Sequence, residues 1–164
     1  MTAAAILQEL ESKGLKIAIA ESLTGGLLAA EFVEVAGASR VFLGAIVAYQ
    51  TSLKHELLGV SRALLENQGP VDPEVAAQMA AGVRAKLANK TGTDESQVIG
   101  IATTGVAGPD PQNGVPVGTV YIAISGPGPI GDSVYAYDFT GERNAIRAAT
   151  VSQALVVLGE CLGL

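Results

Sequence analysis

The chain has no tryptophan, one histidine and one cysteine, and only 4% of its residues are aromatic. So few rings argue against a surface that stacks nucleic-acid bases. The lone Cys161 rules out an intrachain disulfide and fits a reducing cytoplasm. One His and one Cys leave no ligand-spaced cluster for zinc, so no metal or other cofactor is expected. Cations are scarce as well: ten Lys and Arg face sixteen Asp and Glu, for a net charge of −6. That balance lacks the footprint of a DNA or RNA binder, although one locally positive cleft can still hold a small anion. Long hydrophobic runs are missing too. The longest, Val41 to Tyr49, is about half a membrane span. Residues Met1 to Glu11 have no basic segment and meet Glu9 early, unlike a signal peptide. The expectation is a soluble cytoplasmic protein with neither a membrane nor a nucleic-acid partner.

What is present suits one globular unit. A chain of 164 residues is one domain's worth. It should bury roughly 70% of its unfolded surface. With 49% hydrophobic and 16% charged residues, disorder is excluded. Ile6, Leu7 and Leu10 mark a first helix ended by Gly14. A buried strand over Leu15–Ala20 leads through the loop Glu21–Gly26 into a helix with Leu28, Phe32 and Val35 on one face. Val41–Tyr49 reads as a second strand. Thr51 or Ser52 then caps a short helix reaching Leu58, and Ser61 starts another that ends before Gly69-Pro70. Asp72-Pro73 opens a longer helix with the stripe Ala76, Met79, Val83 and Leu87. A third strand, Gln97–Ala102, precedes a Gly/Pro loop from Thr103 to Pro116. Two neighbouring antiparallel strands follow, Val117–Ser125 and Ser133–Phe139, and a helix from Glu142 to Leu162 closes the chain. The pattern predicts an α/β fold, a three-layer α/β/α sandwich around a mixed, mostly parallel sheet.

Four groups of residues have chemical potential. Ala20-Glu21-Ser22-Leu23-Thr24-Gly25-Gly26 lies where a strand turns into a helix. Ligands bind at such carboxyl ends, and glycines let a ligand approach the backbone. A serine there can be exposed as at a nucleophile elbow, but Ser and Thr are also ordinary helix caps. No Gly-Lys-Ser/Thr follows, so this is not a Walker loop. A serine nucleophile needs a base. His55 is the only histidine. Lys54, in the first turn of its helix, is the alternative. The helix dipole and partial burial would both favour its neutral amine. Tyr49 could orient that amine or relay a proton, while a solvated surface lysine is the plainer reading. Thr103-Thr104-Gly105-Val106-Ala107-Gly108-Pro109 follows another buried strand and could form an oxyanion nest or simply a tight turn. Arg143 and Arg147, four apart, could clamp a phosphate or face water, with Arg143 the preferred anchor.

Taken together, several of these motifs resemble the C-terminal domain of CinA (competence/damage-inducible) proteins. The likeness is carried by Ala20 to Gly26, by Val41-Phe42-Leu43-Gly44 through Tyr49, and by Lys54 with Leu57-Leu58-Gly59-Val60. Thr104 to Pro109, Pro116 to Tyr121 and Gly141-Glu142-Arg143 continue it, so it runs from about Gly14 to the end. The resemblance implies a nicotinamide-nucleotide amidase, which hydrolyses nicotinamide mononucleotide to nicotinate mononucleotide and ammonia. It implies Ser22 as nucleophile, Lys54 and Tyr49 as its activating partners, no metal, and a homo-oligomer, a dimer or larger. Substrate contacts are expected from Glu21, Thr24, Gly25, Gly26, Thr103, Thr104, Gly105, Ala107, Gly108 and Arg143. A non-catalytic pyridine-nucleotide-binding module of the same fold is the alternative. Two-domain relatives carry a further N-terminal domain, and residues 1–164 are expected to form the amidase domain alone. Leu23 stands where the family often has a small residue or Cys, and is expected to pack against the helix. The loop Asp110-Pro111-Gln112-Asn113-Gly114 has less glycine than is usual in the family.

Overall fold

Large and small apolar residues alternate along the central strands, and that alternation divides the core into two clusters, one on each face of the sheet. The computed structural model describes residues 1–164. Strands β1 (Lys16–Glu21), β2 (Phe42–Val47), β3 (Val98–Gly105), β4 (Thr119–Ser125) and β5 (Asp132–Asp138) form one sheet in the order β2-β1-β3-β4-β5. β1 pairs in parallel with β2 and β3, whereas β3–β4 and β4–β5 are antiparallel. Only β4 therefore runs against the other four strands, as the expected mostly parallel, mixed sheet requires.

With a period of two, Ile17, Ile19, Ile99, Ile101, Val120, Ile122 and Ile124 all point to one face. Helices α1 (Ala3–Ser12), α2 (Leu27–Val33) and α6 (Arg143–Leu162) cover that face. Ala18, Ala20, Ala102 and Ala123 point to the other. There α3 (Thr51–Leu58) and α5 (Pro73–Thr91) pack, with Met79 and Val83 fully buried. The small face lets α5 come close: a Cβ on Gly100 would stand 2.1 Å from the Ala80 carbonyl. α4 (Arg62–Gln68) joins α3 to α5.

Most predicted elements stand within a few residues of their expected ends, although Val35, expected on the face of the second helix, lies just beyond the end of α2. Gln50 caps α3, so Thr51 is inside the helix rather than at its cap. β3 runs three residues past the predicted Ala102, because Thr103, Thr104 and Gly105 pair with Ile122, Tyr121 and Val120. Finally, α6 is long and apolar enough to cross a membrane by length and composition alone. Its face of Ile146, Val151, Ala154, Leu155, Leu158 and Leu162 is buried against the sheet and α1, which makes it a core helix.

Gly82 lies in the middle of α5, and a Cβ there would be 1.9 Å from the Leu58 carbonyl at the end of α3. Helix propensity alone would have Gly82→Ala stabilise the protein by about 1 kcal/mol. The close contact reverses the sign. We expect Gly82→Ala to destabilise by about 1–3 kcal/mol in urea unfolding, as forced overpacking does. A stabilised variant would show that α3 and α5 are not this close.

Candidate active site

The carboxyl ends of the three neighbouring parallel strands, β2, β1 and β3, converge on one cleft. Open α/β sheets bind ligands at such ends. The cleft has a volume of about 140 Å³. Ser22 and Leu23 enter it from the turn after β1, Tyr49 and Lys54 from the segment after β2, and Gly105 to Gly108 from the end of β3. Arg143, the first residue of α6, completes one wall.

Lys54 is the unusual residue. Its side chain is fully buried on the small-residue face. Nζ lies 2.9 Å from Ser22 Oγ and 2.8 Å from the Ala48 carbonyl oxygen. It makes no ion pair with a carboxylate. Burial without a counter-charge disfavours the ammonium form and lowers its pKa from 10.5 to about 8. Desolvation is the cause; the helix dipole need not be invoked. The carbonyl can only accept, so one N–H of the neutral amine is committed to Ala48. Its lone pair is then free to receive the proton of the Ser22 hydroxyl.

The turn that carries Ser22 is fastened by its neighbours. Gly25 and Gly26 have φ of +60° and +99°, the left-handed region that glycine occupies without a steric penalty. Glu21, fully buried, accepts from the N–H groups of Gly26 and Leu28 through Oε2 and of Ala29 through Oε1. Its carboxylate is thereby spent on the amino end of α2, and it does not line the cleft where a substrate contact was expected of it. A carboxylate already occupies the amino end of α2, so Gly26 offers no free N–H to an anion. Thr24 and Thr103 are likewise no cleft contacts. They are fully buried and share a hydroxyl–hydroxyl bond of 2.7 Å that ties the turn to β3. Thr104, also fully buried, donates to the Pro70 carbonyl at 2.8 Å and so fixes the α4–α5 connection beside the cleft. The Gly25 N–H donates to the Ser22 carbonyl at 3.2 Å. The N–H groups of Leu23 and Ala107, both on the cleft wall, donate to no group of the chain. Leu23 also packs into the core, as expected of it.

Tyr49 is not joined to the Ser22–Lys54 pair. It is 57% exposed, and its hydroxyl accepts from Arg143 Nη2 at 2.8 Å. An aromatic at a strand end suits both places, and the sequence contained nothing to separate them. Arg143 Nη1 also donates to the Gly108 carbonyl at 2.6 Å. His55 is excluded as the base by its position. Its Nδ1 pairs with the Val60 carbonyl at 2.8 Å, outside the cleft. Sequence reasoning did not assign Pro70, Val71, Asp110 or Gln112 to the site, yet all four line the cleft. Asp110 and Gln112 lie in a loop of turn-forming residues after β3, at the same sheet end as Ser22. That placement was the available signal. Pro70 and Val71 carried none.

Comparison with known proteins agrees with this architecture. The family model described as the CinA C-terminal domain matches residues 1–162. A CinA-like protein of Geobacter sulfurreducens is 43% identical over 152 residues, covering 92% of this chain and 34% of its own length. A CinA-like protein of Frankia casuarinae is 43% identical over 150 residues, covering 92% and 32%. The chain thus spans about a third of the length of the curated relatives it matches. Among solved structures, the competence/damage inducible protein CihA of Agrobacterium tumefaciens superposes with a TM-score of 0.85 at 32% identity, covering 97% of this chain and 92% of that one. A CinA superfamily protein of Escherichia coli gives 0.85 at 30% identity, covering 95% and 86%. With the same sheet, the same helical layers and a match over nearly its whole length, the chain belongs to the CinA C-terminal domain family.

Proposed function

We propose that this chain is a nicotinamide-nucleotide amidase that hydrolyses the carboxamide of nicotinamide mononucleotide with a Ser22–Lys54 pair and no metal. One observation carries the reading: a buried lysine with a lowered pKa, 2.9 Å from a serine hydroxyl in a cleft. The amide substrate comes from the family resemblance. A cleft of about 140 Å³ suits one ring and its carboxamide, with the ribose phosphate lying toward exposed Arg143.

In the first half-reaction the Ser22 Oγ–H proton passes to neutral Lys54 as the Oγ–C bond forms. The N–H groups of Leu23 and Ala107 hold the oxyanion, the second of them from the loop after β3. The donor one residue after a nucleophile is a recurring solution. The C–N bond then breaks, Lys54 returns the proton, and ammonia leaves. In the second half-reaction water gives its proton to Lys54 and its hydroxyl to the acyl carbon. The nicotinate product leaves as Ser22 regains its proton. Tyr49 serves at the cleft mouth, holding Arg143. Arg143 spends two of its five N–H donors on Tyr49 and Gly108, leaving the others for a phosphate.

The direct test is ammonia release from nicotinamide mononucleotide with a chelator present. Wild type should release it. Ser22→Ala and Lys54→Met should lose at least about three decades of rate while staying folded, as losing a nucleophile or its base does. His55→Ala should keep its activity. An active Ser22→Ala protein would end this reading.

Two pH effects follow from Lys54. Its neutral form is the base, so kcat should rise with pH and level off above about 8. A rate flat from pH 6 to 9 would contradict it. Stability also depends on this group. Below about pH 8 lysine is charged in both states, and only the folded state carries the desolvation cost. Between about 8 and 10.5 the folded protein releases its proton before the unfolded chain does, so stability rises with pH. The gain is on the order of 3 kcal/mol. It should vanish in Lys54→Met when unfolding free energies of the two proteins are compared across that window.

A further inference from the structure

We infer that Arg147 is a positioning residue for the Ser22 nucleophile, an assignment that rests on the reading of Ser22 given above. Arg147 follows Arg143 by one helical turn on α6 but does not line the cleft. Its half-buried guanidinium donates through Nε to the Leu23 carbonyl and through Nη2 to the Thr24 carbonyl, each at 2.9 Å. Nη1 reaches Asn144 Oδ1 at 3.2 Å. No carboxylate pairs with it. A cation spent on two successive main-chain carbonyls fixes backbone rather than balancing charge.

The fixed backbone is the one that presents the nucleophile. Each peptide unit is planar, with its N–H opposite its carbonyl. Holding the Leu23 and Thr24 carbonyls toward α6 sets the planes of the two peptides that follow Leu23 and Thr24. Within the turn itself the only main-chain bonds are Gly25 N–H to the Ser22 carbonyl and Leu27 N–H to the Thr24 carbonyl, at 3.2 and 3.3 Å. The remaining restraint comes from outside. Glu21 holds three N–H groups on the α2 side, Thr103 accepts the Ser22 N–H and bonds the Thr24 hydroxyl from β3, and Arg147 holds two carbonyls on the α6 side. Gly25 meets Arg147 at ordinary contact distance, since a Cβ there would stand 3.4 Å from Nη2, and it is the φ of +60° that calls for glycine. Along the chain, Ser22 and the unspent Leu23 N–H lie between Glu21 and the two carbonyls that Arg147 holds. Lysine cannot replace the fork, because its ammonium is a point donor on a flexible stem.

The test uses Arg147→Ala, Arg147→Gln and Arg147→Lys in the full chain. For ammonia release, kcat should fall about 10- to 100-fold, the scale of a displacement of about 1 Å at a reacting group. KM should stay within about threefold. Added guanidinium ion should restore part of kcat in Arg147→Ala, a rescue that a general loss of folding would not show. A second readout needs no turnover: the rate at which an alkyl fluorophosphonate labels Ser22. There the Oγ–P bond forms as P–F breaks, fluoride leaves, and the serine proton passes to Lys54. Wild type should label, Ser22→Ala should not, and Arg147→Gln should label at least about tenfold more slowly. Wild-type rates of labelling and turnover in folded Arg147→Gln would overturn the role of Arg147 and leave that of Ser22 standing. A wild-type protein that neither labels nor releases ammonia would overturn both.

Discussion

The site depends on one contact, the buried Lys54 amine between the Ala48 carbonyl and the Ser22 hydroxyl. A lysine this deep is costly to charge, so the fold must either neutralise it or supply a counter-ion. No carboxylate is supplied, and burial alone lowers the pKa to about 8. The rest of the layer makes that burial possible. Alanines on one face of β1 and β3 let α3 and α5 pack closely, and Gly82 admits the end of α3 almost into the groove of α5. The small side chains are therefore part of the chemistry, because a thicker layer would push Lys54 outward into water and restore an ordinary ammonium.

The opposite layer contributes position instead of reactivity. Helix α6 sends Arg143 to Tyr49 and Gly108, and Arg147 to the turn after β1. Its first two turns thus touch all three loops that form the cleft. Glu21 and the Thr24–Thr103 pair fasten the same turn from below. With only ten Lys and Arg in the chain, two on one helix end are spent holding main-chain carbonyls. Arg143 still keeps N–H donors free at the cleft wall.

Much of this was legible in the chain itself. Apolar runs, helical stripes, cap residues and Gly/Pro breaks marked every strand and α-helix, and the likeness of several ordered motifs pointed to Ser22, Lys54 and Tyr49. The shortfalls have physical causes. Thr103 to Gly105 read as a loop because Thr-Thr-Gly carries no apolar alternation, yet pairing with β4 holds them in the sheet. Glu21 looked like a substrate contact because sequence shows a carboxylate beside a Gly-rich turn but not the direction in which it bends. Here it bends onto α2. Tyr49 and Lys54 are five apart across a strand end and a helix start, and only coordinates show that their side chains diverge. Arg143 and Arg147 share a helix face at spacing four, but one reaches the cleft wall and the other the main chain behind it.

The central claim is that burial makes Lys54 lose its proton near pH 8, well below an ordinary lysine, and its titration can be observed directly. Heteronuclear NMR of protein labelled at the lysine Cε and Nζ positions would follow each lysine separately, with Lys54→Met assigning the resonance. The account predicts one lysine titrating near 8, absent from that variant, while the others titrate in the ordinary range. A Lys54 resonance that titrates above 10 would contradict it, for the residue would then be an ammonium and Ser22 would have no base.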